Sequence, residues 1–454
     1  MRRKKEPVLS FSVIDPGRLK IVIDYERKYN RISDQLDQHP ELVASVHRDL
    51  RKLSQGGPKG RKGDFTSENI LRALIVMTLE NLPLRKAVVR IAHSDFLQAF
   101  VRLADGKVMD FTFLDKCLNA IEPETWQKMN EVLALQAVED GILDPSAIRT
   151  DTTVVEANIH YPTDTFLLWD SWRVVARLLR RAHKRCRVPL FHRFHDTKVK
   201  ALHLFVTRYI KSRSTSRQRE VRSRLRTLLG RVRWIAAIAE SFCADVAGTH
   251  DDELAGIAAE LRGFLPSIHT VIETSERAGL EGESVPASER VFSVFEPHVE
   301  LIQRGKRSKP IEFGHKIVLS QARGKFITHF ETLEVQKPDS KLTAPAVEAH
   351  QETFGSYPDL VTTDKGMNPR PEERAKLQAK VKVLAIPRKL SDWADDWLVE
   401  WQGFRAGIEG TISVLKRAFR LARCLFRGFK HFAAAVGLSV VCHNLVVLAA
   451  HGTG

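Results

Sequence analysis

Ile148-Arg149-Thr150-Asp151-Thr152-Thr153-Val154-Val155 is the stretch that decides how this chain folds. Five of its eight residues are β-branched Thr or Val, with Ile148 a sixth, which favours a pleated, half-buried strand. Asp151 stands in the middle, where an acid is disfavoured unless it has a task. Outward from this strand, 313–319 and 326–330 read as two further strands joined at Ala322-Arg-Gly-Lys325, a hairpin turn. Residues 344–354 read as a helix, 360–364 as a short buried strand ending in Asp364-Lys365-Gly366, and 381–386 as another strand. The chain is helical from 404. This order predicts an α+β fold, an α/β mixed sheet covered by helices.

Asp364 ends one strand as Asp151 interrupts another, and a third acid, Glu409, falls on the late helix. Arg405, Glu409 and Lys416 are spaced four and seven apart, which at 100° per residue keeps them on one face. Ile408, Ile412, Leu415 and Phe419 form a separate apolar stripe. Three carboxylates converging from different elements are hard oxygen donors suited to two Mg²⁺ ions about 3.5–4 Å apart, with Mn²⁺ as a substitute. One ion would activate an attacking hydroxyl and the other stabilise a leaving oxygen. Arg405 and Glu409 also fit an ordinary exposed ion pair of a few tenths of a kcal/mol. Asp392, Asp395 and Asp396, among Trp393 and Trp397, read as a solvated helix face. His160 and His315 lack a second histidine at helical spacing and read as structural or DNA-facing.

Composition narrows the partners. The 454 residues are 43% hydrophobic and 28% charged, which fits a packed globular chain and excludes a wholly disordered one. Lys and Arg exceed Asp and Glu by 71 to 55, so a polyanion is expected, with nucleic acid ahead of membrane. Between 173 and 233 stand 20 Lys+Arg and two acids, Asp196 and Glu220, a local excess of +18. The segment 167–265 otherwise reads as helical. Its dense arginines, including Arg217, Arg219, Arg222, Arg224 and Arg226, suit a DNA clamp, the alternative being a solvated helical spacer. Trp169, Trp172 and Trp234 read as core rather than as base-stacking residues. Cys117, Cys186, Cys243, Cys424 and Cys442 include no close pair, against a disulfide scaffold or zinc finger. No signal peptide or ATP-type phosphate loop is apparent. The apolar run 432–450 is interrupted by His443-Asn444 and reads as a buried core helix rather than a membrane span.

Near the N-terminus, 53–63 is a Gly-rich basic linker. Ser67 is a candidate N-cap for a helix carrying Ile70, Leu71, Leu74, Ile75 and Leu79, followed after Asn81-Leu82-Pro83 by a second helix over 84–93. The pair fits a helix-turn-helix, or plain core packing.

These residues resemble a known family. Arg149-Thr-Asp-Thr-Thr-Val-Val-Glu-Ala-Asn-Ile-His-Tyr-Pro-Thr-Asp164 is similar to the first-aspartate motif of DDE insertion-sequence transposases, in the group called ISNCY. Thr363-Asp364-Lys365-Gly366 resembles the second-aspartate motif, and Arg405, Glu409 and Lys416 match the R-x3-E-x6-K part of the third-acid signature. Ile311-Glu-Phe-Gly-His-Lys316, Gly428-Phe-Lys-His-Phe432 and His443-Asn-Leu445 also look like family segments, and 67–100 resembles the N-terminal domain. The resemblance implies a ribonuclease H-like catalytic core at 141–166 and 306–454, a basic helical insertion at 167–305, and an all-α, helix-turn-helix-like DNA-binding domain at 1–140. It implies Asp151, Asp364 and Glu409 as catalytic metal ligands, and Arg405 and Lys416 as DNA-phosphate or orienting contacts; Lys365, beside Asp364, is read as a further DNA contact. The implied partners are double-stranded DNA, as element ends and target, and a second copy when two ends are paired. No membrane and no small-molecule cofactor are implied, and the implied location is the cytoplasm, on the nucleoid. Two positions depart from the pattern. Gln402 stands where the family commonly has tyrosine, flanked by Trp401 and Phe404, and Lys365-Gly366-Met367 replaces Arg-Gly-aromatic. They motivate a rival reading, a decayed or domesticated DNA-binding copy, and a weaker third, a metal nuclease without strand transfer.

Overall fold

The computed structural model describes residues 19–53, 64–103, 107–188, 192–303, 310–387 and 396–451. The basic linker at 54–63, Asp392, Trp393 and Asp395 lie outside these, as do the side chains of Asp396 and Trp397. Fifteen α-helices and seven strands form among the described residues, in two compact units: Met1–Asn158 with His315–Gly454, and Ile159–Gly314.

The strands are β1 (Asp144–Ala157), β2 (Glu300–Gln303), β3 (Ile311–Arg323), β4 (Ile327–Thr332), β5 (Leu360–Thr363), β6 (Val383–Ala385) and β7 (Arg423–Cys424). They order as β2-β3-β1-β5-β6, with β4 also on β3 and β7 also on β1. Pairing is parallel between β1 and β5, β5 and β6, and β1 and β7, and antiparallel between β3 and its partners β2 and β4. The sheet is therefore mixed, as expected. The expected hairpin turn is present: Gly324 and Lys325 take positive φ of 86° and 66°. A Cβ at Gly324 would strike the Ile142 carbonyl, so only glycine closes this turn without strain. The four-residue β2 and two-residue β7 were not expected, being too short to carry a periodic signal.

In the first unit, the helix Ser67–Leu79 is capped by Thr66, not Ser67. The Thr66 side chain accepts from the Asn69 amide while Asn69 accepts from the Thr66 amide, a reciprocal capping box. Asn81 turns the chain at φ 51°, and Leu84–Ala92 follows. Ten consecutive residues of Ser67–Leu79 are buried, so this helix is core. Its neighbour exposes Arg85, Lys86, Val89 and Arg90.

The helix Phe429–His451 is long and apolar enough to cross a membrane, yet most of it is buried inside the protein. Its polar interruption is satisfied there. Asn444 accepts from the Ile327 amide at 3.0 Å and donates to Asn130 at 2.7 Å and to the Ile327 carbonyl at 2.8 Å. This helix packs against Lys20–Gln38, Ser67–Leu79 and Pro123–Glu139 and against β4, so the N-terminal helices and the sheet share one core. That is the physical reason residues before 140 do not separate as a compact unit of their own.

The second unit is built on four helices, Asp164–Cys186, Asp196–Tyr209, Thr215–Asp245 and Asp252–Glu276, around a core that includes Leu168, Trp172, Leu228, Ile235, Leu261 and Ile268. Trp172 is fully in this core, while Trp169 and Trp234 pack half-buried on its rim.

Candidate active site

The register of β1 on β5 pairs Thr150 with Thr363. The residues that follow this pair are Asp151, still within β1, and Asp364, the first residue past the end of β5, so the two acids follow paired positions on neighbouring strands. Asp364 is fixed by capping the single turn Lys365–Met367, its Oδ1 accepting from the Met367 amide at 2.9 Å. Met367 anchors that turn by burying its side chain with Val318, Leu333 and Leu342, an apolar task an aromatic could equally perform. Lys365 is exposed beside Asp364.

The helix Asp396–Ala418 supplies the third acid. Trp401 and Phe404 pack it on Ala147, Leu360 and Ala385, and Ile408, Leu415 and Phe419 are buried as the apolar stripe predicts. Arg405 lies between the acids. Its Nη2 donates to Glu409 Oε1 at 2.9 Å and its Nη1 is 4.0 Å from Asp151 Oδ2. The carboxyl of Asp151 is pushed up to about 6, first by burial, then by the negative charges of Asp364 and Glu409. The Thr152 amide, donating at 2.7 Å, and Arg405 act in the opposite direction. Asp364 and Glu409 are thus both close enough to Asp151 to oppose its charge, and Glu409 is exposed and held by Arg405. Among the described residues no three His, Cys, Asp or Glu side chains gather closely enough to hold one ion as they stand.

Gln402 has a defined task in place of tyrosine. It is buried, its Nε2 donates to the Ala385 carbonyl at 3.2 Å, and its Oε1 accepts from Arg405 Nε at 3.0 Å. It thereby ties the Arg405 guanidinium to the end of β6. Lys416 does not project towards solvent beside Arg405. Its ammonium donates to the Val154 carbonyl of β1 at 2.8 Å, stitching the helix to the strand that carries Asp151.

Beneath the acids lies a network that sequence spacing did not reveal. The Arg149 guanidinium is buried, donates twice to Gln321 Oε1 at 2.8 and 2.6 Å and once to the Phe404 carbonyl, and lies 4.7 Å from the Phe404 ring. Gln321 in turn donates to Thr411 at 2.8 Å. Burial and nearby Arg323 lower the Arg149 pKa to about 10, which leaves it charged at neutral pH. Gly407 faces this guanidinium so closely that any Cβ there would collide with it. The two conditions together set the distance from helix to sheet. The only hint in sequence was a charged residue inside an otherwise β-branched strand.

Away from the acids, Glu156 pairs with Arg423 at 2.8 Å, and His315 is buried with Nδ1 3.0 Å from the Leu333 carbonyl, both structural. Within the second unit, His160 faces Asp170 at 3.3 Å and Asp164 pairs with Arg290 at 2.9 Å. The +18 segment there is partly neutralised by acids that follow it. Arg181 pairs with Glu260, Arg185 with Glu253 and Arg233 with Glu276, all on Asp252–Glu276. The second unit as a whole has 27 Lys+Arg against 18 Asp+Glu, so its excess is +9 and the first unit carries +7. Arg217 and Arg224 both pair with Glu220, at 2.8 and 3.6 Å, whereas Arg219, Arg222 and Arg226 are exposed without an acidic partner among the described residues.

No family model matches this chain, and neither a curated protein nor a solved structure does.

Proposed function

We propose that the chain is a DDE transposase, cleaving DNA at insertion-sequence ends and joining the freed 3′-hydroxyl to target DNA. The observation that carries this is the placement of three acids: Asp151 within the central strand, Asp364 just past the end of its parallel neighbour, and Glu409 on the helix after β6, with Arg405 reaching from Glu409 towards Asp151. The strand order β4-β3-β1-β5-β6 supports a ribonuclease H-like reading of the sheet.

Burial and two like charges raise Asp151 further than Arg405 and the Thr152 amide lower it, which fits a site built for a divalent ion. Asp151, Asp364 and Glu409 would hold Mg²⁺, or Mn²⁺ in its place, and the metal would supply Lewis-acid activation of the nucleophile and stabilisation of the leaving oxygen. Arg405 holds Glu409 in reserve and keeps positive charge at the mouth of the site, where a phosphate would release the glutamate by competing for the guanidinium. Lys365 supplies a second cation beside Asp364. Lys416 acts by positioning, through Val154. Arg219, Arg222 and Arg226 offer a backbone-binding face for duplex DNA, and the exposed Arg85, Lys86 and Arg90 offer one for element ends. Pairing two ends calls for a second copy, and the working location is the cytoplasm, on the nucleoid.

The hold of Arg405 on Glu409, together with Gln402, favours one rival reading, a catalytically decayed DNA-binding copy. The two are separated by incubating the full chain with DNA carrying its element's ends and Mg²⁺ or Mn²⁺, alongside Asp151→Ala, Asp364→Ala and Glu409→Ala. Cleavage lost in all three variants supports the transposase. Cleavage that survives them refutes the assignment, binding without cleavage favours the decayed copy, and cleavage without joining identifies a nuclease.

A further inference from the structure

The second unit contains a cavity of about 430 Å³ that the carboxylate site does not use. Its cationic wall is Arg193, Lys198, Arg224 and Arg231, with His195 beside them, and its aromatic wall is Trp234 and Phe205, with buried Trp172 behind. No acid lines it. Asp196, on the same helix as Lys198, is committed to Arg180 at 2.8 Å and to the Trp172 indole at 2.9 Å. Arg193, Lys198 and Arg231 have no acidic partner among the described residues, unlike the arginines paired to Asp252–Glu276. The Arg224 guanidinium lies 5.3 Å from the Phe205 ring centre, so a flat cationic surface backs the cavity.

A duplex presents phosphates on a convex surface and hides its bases. A concave, cation-rimmed cavity with aromatic and guanidinium faces instead suits an anion that carries an exposed ring. Its volume falls in the range of small-ligand sites. We infer that this cavity takes an unpaired nucleotide of a DNA strand, with phosphate on Lys198, Arg193 and Arg231 and the base against Trp234, Phe205 and Arg224. The exposed arginines of Thr215–Asp245 at 219, 222 and 226 lie on a different side of the same helix and serve duplex backbone instead.

Binding of the full chain to fluorescein-labelled oligo-dT, to an abasic strand of equal length and to duplex tests this, in EDTA so that cleavage plays no part. Lys198→Glu with Arg231→Glu, both at exposed positions, should weaken oligo-dT binding by about tenfold or more. Trp234→Ala should weaken oligo-dT but leave the abasic strand unchanged, and quenching of tryptophan fluorescence by oligo-dT in the unaltered chain gives a second reading should that variant not fold. Arg219→Ala with Arg222→Ala and Arg226→Ala should weaken duplex more than oligo-dT. Wild-type oligo-dT affinity in the charge-reversed variant overturns the inference. So does equal competition by inorganic polyphosphate, abasic strand and oligo-dT, which would mean the cavity reads charge alone. A chain that binds oligo-dT but never cuts refutes only the transposase proposal, and one that cuts while ignoring the cavity variants refutes only the cavity.

Discussion

Replacing Asp151 by Asn should make the protein more stable at neutral pH and not at acid pH. The unfolded carboxyl titrates near pH 4, whereas the folded one titrates at about 6 because burial, Asp364 and Glu409 oppose its charge. Between those values the folded state holds more protons than the unfolded state, so stability falls as pH rises through the window. Above pH 6 the full cost is present, about two pKa units or roughly 3 kcal/mol as an upper figure. Below about pH 4 it is absent, since both states are protonated. Asn keeps the Oδ1 that accepts from the Thr152 amide and removes only the charge. Thermal unfolding of both proteins should give the Asn variant a melting temperature a few degrees higher near pH 7.5, with the gap closing towards pH 4. A variant that melts below wild type at both pH values would refute the reasoning, because it would mean the carboxylate contributes interactions worth more than its desolvation costs.

Three further outcomes follow from separate features. Gly407→Ala should destabilise by about 1–3 kcal/mol through collision with Arg149, while Gly403→Ala on the same helix, where a Cβ meets nothing, should stabilise by up to about 1 kcal/mol in urea unfolding; equal effects at both would refute the tight approach. Mg²⁺ should raise the melting temperature of wild type at neutral pH and have no such effect on Asp151→Asn, by linkage of binding to folding; an identical rise in both would place the ion elsewhere. Substituting Arg219, Arg222 and Arg226 together by Ala should flatten the salt dependence of duplex binding by up to about 0.9 for each phosphate these side chains neutralise, measured by anisotropy across a salt series; an unchanged slope would remove this face from the interface.

The central strand, the hairpin and the two strands after it could be read from β-branched density and turn chemistry, because those signals are local. Asp151 and Asp364 stood out for a similar reason, one interrupting and the other ending a strand pattern, and Glu409 stood out by its helical spacing from Arg405 and Lys416. What joins them could not be read. Gln402 looked like a defect until the packing of its helix on β5 and β6 brought it to the Ala385 carbonyl and Arg405. Lys416 shares a face with Arg405 on helical spacing, yet the nearness of β1 turns its ammonium to Val154. The +18 of residues 173–233 overstates the charge left free for a polyanion, because acids that neutralise part of it lie on Asp252–Glu276, later in the chain.

The strand that carries Asp151 has a history during synthesis that its final position conceals. β3 and β5, its neighbours on the two sides, are both encoded after the second unit's helices, as is β7. At roughly 5–20 residues per second, the ribosome needs on the order of ten to thirty seconds to make that unit. Throughout, the apolar β-branched run around Val154 and Val155 has no strand to pair with and both of its edges are open. An open edge of this kind is a template for other chains. The early supply of the first acid therefore comes with an interval of aggregation risk, which slower growth at low temperature with added chaperone should relieve in a measurable soluble fraction.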